Sequence, residues 1–248
     1  MQVRNILVAL VVVCFAVSEA ATQAPTSPPD SSASAEQVAQ LLNAPSELDR
    51  LKLLKDNQFV FDFKNSKLGV TQSAGGKTVA TSRTDFPAVI GHNIAMTVGF
   101  IEACGINLPH THPRATEINF IAKGRFQAGF FLENQATFIG HILEEGMATV
   151  FPQGAIHFEI NLECEPAMFV AAFNNEDPGV QTTASSFFGL PADVAAVSLN
   201  ISSIQTVEDL AKYLPHNPAI AMKECMQRCG MTGSSESSES SEDSSCSD

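Results

Sequence analysis

The sequence predicts an all-β domain, a sandwich or a barrel, with short helices before and after it. Three observations carry this expectation. From residue 58 to residue 173, aromatic or aliphatic residues alternate with polar ones in a series of short runs, the period of a strand with one buried face. The runs follow one another at roughly ten-residue spacing with no helical period between them, the rhythm of a sandwich or barrel rather than of alternating strands and helices. The helical period is confined to the flanks, before residue 56 and after residue 199.

In chain order, residues 1–20 read as a secretory signal peptide. Arg4 precedes an apolar run from Ile6 to Val17, and Ser18-Glu19-Ala20 puts small residues at the two positions a signal peptidase reads. That run is too short to cross a bilayer core of roughly 30 Å. No later stretch is apolar enough to span, so the expectation is a secreted, extracellular protein with no membrane span. Residues 21–34 are rich in Pro, Ser, Thr and Ala and are expected to be a disordered linker. Residues 35–230 are expected to form one domain of ordinary size. Residues 231–248 form a Ser/Glu-rich acidic tail, expected to be disordered, with Ser-x-Glu at Ser234, Ser237 and Ser240. The tail reads either as an inert solubilising segment or as a polyanion that phosphorylation would deepen and that calcium or a basic wall would hold.

Two helical patterns open the domain. AEQVAQLL follows Ser34, and SELDRLKLLK has Ser46 as its N-cap with Asp49 three residues on. Strand-like runs follow at QFVFDF (58–63), 92–100, 117–124, 125–132, 136–143, 148–152, 157–162 and 167–173, with turns at Lys123-Gly124 and Glu145-Gly146. After Leu199 the helical period returns at 202–214, capped by Ser203. It returns again at 217–230, with Asn217 at the cap, Pro218 in the first turn and Gly230 at the end. These C-terminal helices either pack on the barrel of their own chain or dock on a neighbouring subunit.

The formal net charge is −13, from 14 basic and 27 acidic residues. This argues against a nucleic-acid partner, which needs clustered Lys and Arg. Of six cysteines, Cys14 would leave with the signal and Cys246 lies in the tail. If the strands holding His110 and His157 run antiparallel side by side, facing residues share a constant sum of numbers. That sum is 267 for the histidines and 268 for Cys104 with Cys164, so a Cys104–Cys164 disulfide is expected, the alternative being two buried thiols. Cys225 and Cys229, four apart on a predicted helix, would bridge to each other or elsewhere; no partner His or Cys nearby makes them a metal site. Asn200-Ile201-Ser202 is an N-glycosylation acceptor if the chain is exported through a glycosylating pathway.

The chemistry concentrates in GINLPHTHPRATE, Gly105 to Glu117. His110 and His112 alternate at strand spacing, so both imidazoles point to one face. Pro109 and Pro113 stiffen the segment and mark it as an edge or turn. Glu117 opens the next apolar run, and His157 opens a later strand after the turn Pro152-Gln153-Gly154. Three imidazoles and a carboxylate make a mixed N/O set that suits Mn, Fe, Zn, Ni or Cu, without choosing among them. His92, His141 and His216 read as ordinary surface or core residues. No Ser-His-Asp or Cys-His nucleophile arrangement is visible.

The two segments resemble the paired motifs of the cupin superfamily. The first runs Gly105, four residues, His110-Thr111-His112, four residues, Glu117, six residues, Gly124. The second runs Gly146, five residues, Pro152-Gln153-Gly154, two residues, His157, three residues, Asn161. HPRATEI (112–118), FNNEDPG (173–179) and FFGLP (187–191) are similar to germins and germin-like proteins, and QFVFDF with GGKTV (75–79) is similar to spherulin-type cupins. The resemblance covers roughly residues 58–215. It implies a single jelly-roll barrel of six to ten strands, with His110, His112, Glu117 and His157 as ligands of one metal at its mouth, most often manganese in the germin branch. It also implies a trimer or hexamer. Two departures stand out. The N-terminal disulfide of plant germins has no counterpart before Cys104. Of the two asparagines that oxalate-oxidising germins place before the first ligand, Asn107 matches one and is the candidate substrate-orienting, catalytic residue, while Thr97 stands at the other. The functions implied are an oxidoreductase acting on a small anion, as a superoxide dismutase or an oxalate oxidase, or a structural or storage protein of a cell wall or cyst coat in which the metal is a staple. A binding module for a small acid or sugar is a third.

Overall fold

The computed structural model describes residues 32–220 and 223–231. The expected signal peptide, the linker up to residue 31 and the acidic tail from residue 232, with Cys246 and the Ser-x-Glu repeats, lie outside the described residues.

The helices α1 (Ala35–Asn43) and α2 (Glu47–Leu53) form where their caps predict. The Ser34 hydroxyl accepts from the Gln37 N–H, and the Ser46 hydroxyl accepts from the Asp49 N–H while donating to the Asp49 carboxylate at 2.6 Å. The next run departs from expectation. QFVFDF makes a single 3-10 turn at Asp56–Phe59 and then an extended stretch that joins neither sheet. Its alternation serves packing instead: Phe61 lies against Phe63 and Phe86, while Phe59 and Val60 remain exposed.

Ten strands then build the barrel: β1 (Val70–Ser73), β2 (Gly76–Ala80), β3 (Ala95–Ile101), β4 (Gly105–Thr111), β5 (Glu117–Lys123), β6 (Arg125–Phe131), β7 (Ile139–Glu144), β8 (Ala148–Phe151), β9 (Ile156–Asn161) and β10 (Ala167–Phe173). The turns after β5 and β7 place Gly124 and Gly146 at positive φ, where a side chain would be strained. β11 (Gln181–Thr182), α3 (Thr183–Phe188), α4 (Ala192–Ser198), α5 (Ile204–Lys212), β12 (Ala219–Ile220) and α6 (Lys223–Arg228) follow. One sheet has the order β1-β2-β3-β10-β5-β8. The other has β11-β4-β9-β6-β7, with β12 also on β4. All pairs are antiparallel. Phe126, Phe151 and Phe169 fill the space between the sheets with Ile101 and Ile121, all essentially inaccessible. This is the all-β jelly roll flanked by helices that the sequence predicts.

The C-terminal region differs from its sequence reading. α3 and α4 arise where no helix is predicted, and with α5, capped by Ser203 as expected, they make a small core of their own around Ala195, Ala196 and Val207. The helix predicted over 217–230 does not start at Asn217. Ala219 and Ile220 pair with Ile106 and Gly105 of β4, so ladder bonds replace helical ones and the helix is confined to 223–228. That helix packs on the barrel of its own chain through two disulfides.

Those disulfides correct the expected pairing. Cys104 is bonded to Cys225 and Cys164 to Cys229, with Cα–Cα separations of 5.7 and 5.2 Å. Cys104–Cys164 does not form, although the two segments are adjacent as the constant sum implies: the Cys104 N–H donates to the Glu163 carbonyl at 3.2 Å. Cys225 on α6 and Cys229 just past its end lie four residues apart, and each takes one of the facing cysteines. Among the described residues no helix is long and apolar enough to cross a membrane.

Candidate metal centre

The jelly roll brings the four predicted ligands together. His110 and His157 face each other across the β4–β9 pair. His112 follows the end of β4, and Glu117 opens β5, paired with Phe151 of β8 and Phe173 of β10. The four are buried, and their ligand atoms all lie within 4.8 Å of one another. Phe151 stacks on His157 with ring centroids 4.3 Å apart, and Phe173 packs on His112 at 4.5 Å.

The tautomers follow from the partners. His110 Nδ1 lies 2.8 Å from the Leu108 carbonyl, His112 Nδ1 2.6 Å from that of Gly179, and His157 Nδ1 2.9 Å from that of Ala155. A carbonyl only accepts, so each Nδ1 carries a proton and each ring turns its Nε2 inward. Two of these nitrogens meet one carboxylate oxygen: His112 Nε2 is 3.1 Å and His157 Nε2 is 3.2 Å from Glu117 Oε2. Lone pairs converging on a carboxylate repel unless a positive charge is shared among them, as a proton on a ring or a divalent metal. Backbone carbonyls orienting the far nitrogen are also what metal-bound imidazoles use. The donor set therefore fits a divalent metal.

The electrostatics agree. Burial would raise the Glu117 carboxyl, but hydrogen bonds from His112 and His157 outweigh it and hold the group below the usual carboxylate range. Burial would lower His157, but its bond to Glu117 and the charges of Glu159 and Glu117 raise it. Burial, then the neighbouring His157 and His112, push His110 down to about 3, so that ring stays neutral.

Behind the ligands lies a polar chain that the sequence reading missed. Glu159, on β9, is fully buried and accepts from Asn107 Nδ2 at 2.9 Å and from Asn119 Nδ2 at 3.0 Å. Asn119 Nδ2 is also 3.0 Å from Glu117 Oε1, while its own Oδ1 is buried without a hydrogen-bond partner. Burial, then repulsion from Glu117, raise Glu159 to about 8. The available signal was alternation: His157, Glu159 and Asn161 occupy successive inward positions of one strand, as Glu117 and Asn119 do on β5.

Beside the ligands is a cavity of about 160 Å³ lined by Thr71, Thr78, Thr97, Thr182, Asn107 and Asn217 among others. Asn107 faces it, with one N–H given to Glu159 and its Oδ1 accepting from Asn217. His92, His141 and His216, which the sequence leaves as surface or core residues, are all exposed and stand outside the cluster.

Comparison with known proteins agrees with this geometry. A family model described as cupin matches residues 62–206. Spherulin-1A of Physarum polycephalum is 86% identical over 204 residues, which are 82% of this chain and 83% of that protein. Germin-like protein 1-3 of Oryza sativa subsp. japonica is 33% identical over 171 residues, 67% of this chain and 76% of that one. A solved structure of oxalate oxidase superposes with a TM-score of 0.56 at 27% identity, covering 62% of this chain and 80% of that chain. Pumpkin seed globulin superposes equally well, TM-score 0.56 over 62% of this chain and 40% of that one, but at 14% identity it shows the fold alone.

Proposed function

The chain belongs to the cupin family, with germin-like and spherulin-like relatives, and from that premise we propose that it is a secreted manganese protein acting on a small anion, by superoxide dismutation or oxalate oxidation. The observation that carries this reading is the convergence of three Nε2 atoms and one Glu117 oxygen, with each ring held by a backbone carbonyl. His110, His112, Glu117 and His157 would hold the metal. Manganese, when bound, supplies one-electron redox chemistry beside the cavity.

The chain's own residues do the rest. Phe151 and Phe173 keep water from two of the rings. The second N–H of Asn107 and the Thr97 hydroxyl offer donors that orient an anion in the cavity. Glu159, raised to about 8, holds a proton at neutral pH behind Asn107. Two disulfides fit an oxidising compartment, and Asn200 of the glycosylation acceptor is exposed. Ile118, Phe120 and Val150 form an exposed apolar strip on the outer face of the first sheet, which fits a homo-oligomer, a trimer or hexamer by resemblance.

One observation favours a second reading, a structural or storage protein of a cell wall or coat. Thr97 brings a hydroxyl where an amide would orient a dicarboxylate, and Asn107 already gives one N–H to Glu159. The metal would then tie β4, β5 and β9 together. Metal analysis of the secreted protein, followed by peroxide release from oxalate and a superoxide assay, separates the two. Stoichiometric manganese with either activity supports the enzyme. Stoichiometric manganese with neither supports the structural reading, and a His110→Ala variant that keeps its full metal content would undo the site itself.

A further inference from the structure

Among the described residues the C-terminal arm adds no ligand to the His110, His112, Glu117 and His157 cluster, yet it reaches the cavity. β4 is paired on the edge away from β9 by two short strands, β12 at Gly105–Ile106 and β11 at His110–Thr111. Among the described residues, that edge has no strand partner between them. The side chain of Asn217 fills the gap: its Oδ1 accepts from the Leu108 N–H at 2.7 Å. The carbonyl of Leu108 is the one that accepts from His110 Nδ1. The residue that aims His110 is therefore itself held by Asn217. The other end of the same amide, Asn217 Nδ2, donates to Asn107 Oδ1 at 2.8 Å, which turns Asn107 Nδ2 toward Glu159.

The arm is fitted to this place. The Gly75 N–H donates to the Pro218 carbonyl at 3.0 Å, and a Cβ on Gly75 would lie 1.9 Å from the Ala219 oxygen, so only glycine admits the arm at the β1–β2 turn. Beyond Ile220, Cys225 of α6 and Cys229 just after it are bonded to the cysteines at the ends of β4 and β9, and Arg228 donates to the Leu162 carbonyl.

We propose that Asn217 is a positioning residue of the metal cavity, delivered by an arm that the two disulfides hold on the barrel, and that it sets the Asn107 amide and, through Leu108, the ring of His110. The proposal rests on the reading of His110 as a metal ligand. It is tested on the full-length secreted protein with both disulfides confirmed by peptide mapping. In chelator-treated protein, 15N–1H correlations of the imidazoles report the His110 tautomer, and chelator competition reports manganese affinity.

Wild type should show His110 protonated at Nδ1 alone. Asn217→Ala should mix the two tautomers and weaken manganese binding by about tenfold, the usual scale for losing an outer partner of a metal site. Asn217→Asp keeps the acceptor for Leu108 and should restore the single tautomer. A His110 tautomer and a manganese affinity both unchanged in Asn217→Ala overturn the proposal. So does an Asn217→Asp variant, folded with both disulfides, in which the tautomers mix. Wild-type protein that takes up no manganese overturns the metal reading instead, and the tautomer comparison still decides the role of Asn217.

Discussion

The two ends of the β4–β9 pair are held by different means. At one end His110 and His157 face each other in a cluster whose polar atoms are nearly all hydrogen-bonded to strands and turns of the barrel. At the other end Cys104 and Cys164 are tied to a helix that lies 121 and 65 residues away along the chain. The first end is ordered by strand alternation, which dictates where each side chain points. The second is ordered by covalent links that constrain the unfolded chain and dictate nothing about strand register. Stability should therefore depend most on the cysteine end, and metal binding most on the histidine end.

The largest effect is expected from the links. Joint replacement Cys104→Ser and Cys225→Ser releases a long loop and should cost about 4 kcal/mol, read as a fall in melting temperature of roughly 10 °C for a domain of this size. An unchanged melting temperature would show that packing and the remaining Cys164–Cys229 link suffice to hold α6 in place. Next comes the metal end. Ligand binding stabilises the folded state by about 2.7 kcal/mol at a hundredfold excess over Kd, so manganese should raise the unfolding free energy of wild type, and His157→Ala should gain nothing from it. A His157→Ala protein that is stabilised as much as wild type would remove His157 from the ligand set.

The third prediction uses two carboxylates in one chamber with opposite shifts. In metal-free protein Glu159 is raised to about 8 from the ordinary 4.5. Between those values the unfolded chain has lost its proton and the folded chain keeps it. This contribution to stability is thus full below pH 4.5 and is lost as pH rises towards 8, at up to about 1.4 kcal/mol per pH unit. Glu117 is shifted down, so its contribution is present above its ordinary pKa and is lost as pH falls below it. His157, shifted up, adds to the loss only above about 6.5. Glu159→Gln should therefore flatten the decline between pH 4.5 and 6.5 in denaturant titrations. An equal slope in wild type and variant would mean that Glu159 is ionised in the fold.

The same contrast explains what was legible in the sequence. His110, His112, Glu117 and His157 could be placed because alternation is a local rule, and two such segments sharing one point need only an antiparallel pair. Asn119 and Glu159 followed the same rule and were legible in principle, as polar residues at inward strand positions. The arm was not. NPAIAMKECMQRCG carries good helical signals, and only the free edge of β4, more than a hundred residues earlier, converts Ala219–Ile220 into a strand. The cysteine pairing failed for a related reason. The constant sum placed Cys104 near Cys164 correctly, but could not show that a helix with two thiols would take both. QFVFDF failed because alternation marks a half-buried segment, and a wrapping coil meets that description as well as a strand does.

The smallest effect should come from the exposed rim of the histidine end. Arg114 Nε donates to the Asp177 carbonyl at 2.7 Å and its Nη2 to the Asp177 carboxylate at 2.9 Å, bracing the loop whose Gly179 carbonyl orients His112. Arg114 is half exposed, and such pairs contribute no more than about 1 kcal/mol. The Arg114 N–H to Pro178 carbonyl bond, which the side chain does not supply, also holds that loop. Arg114→Ala should therefore lower stability only slightly and weaken manganese binding by less than about fivefold, measured by chelator competition. A tenfold or larger loss would show that His112 is aimed by a surface ion pair rather than by the backbone.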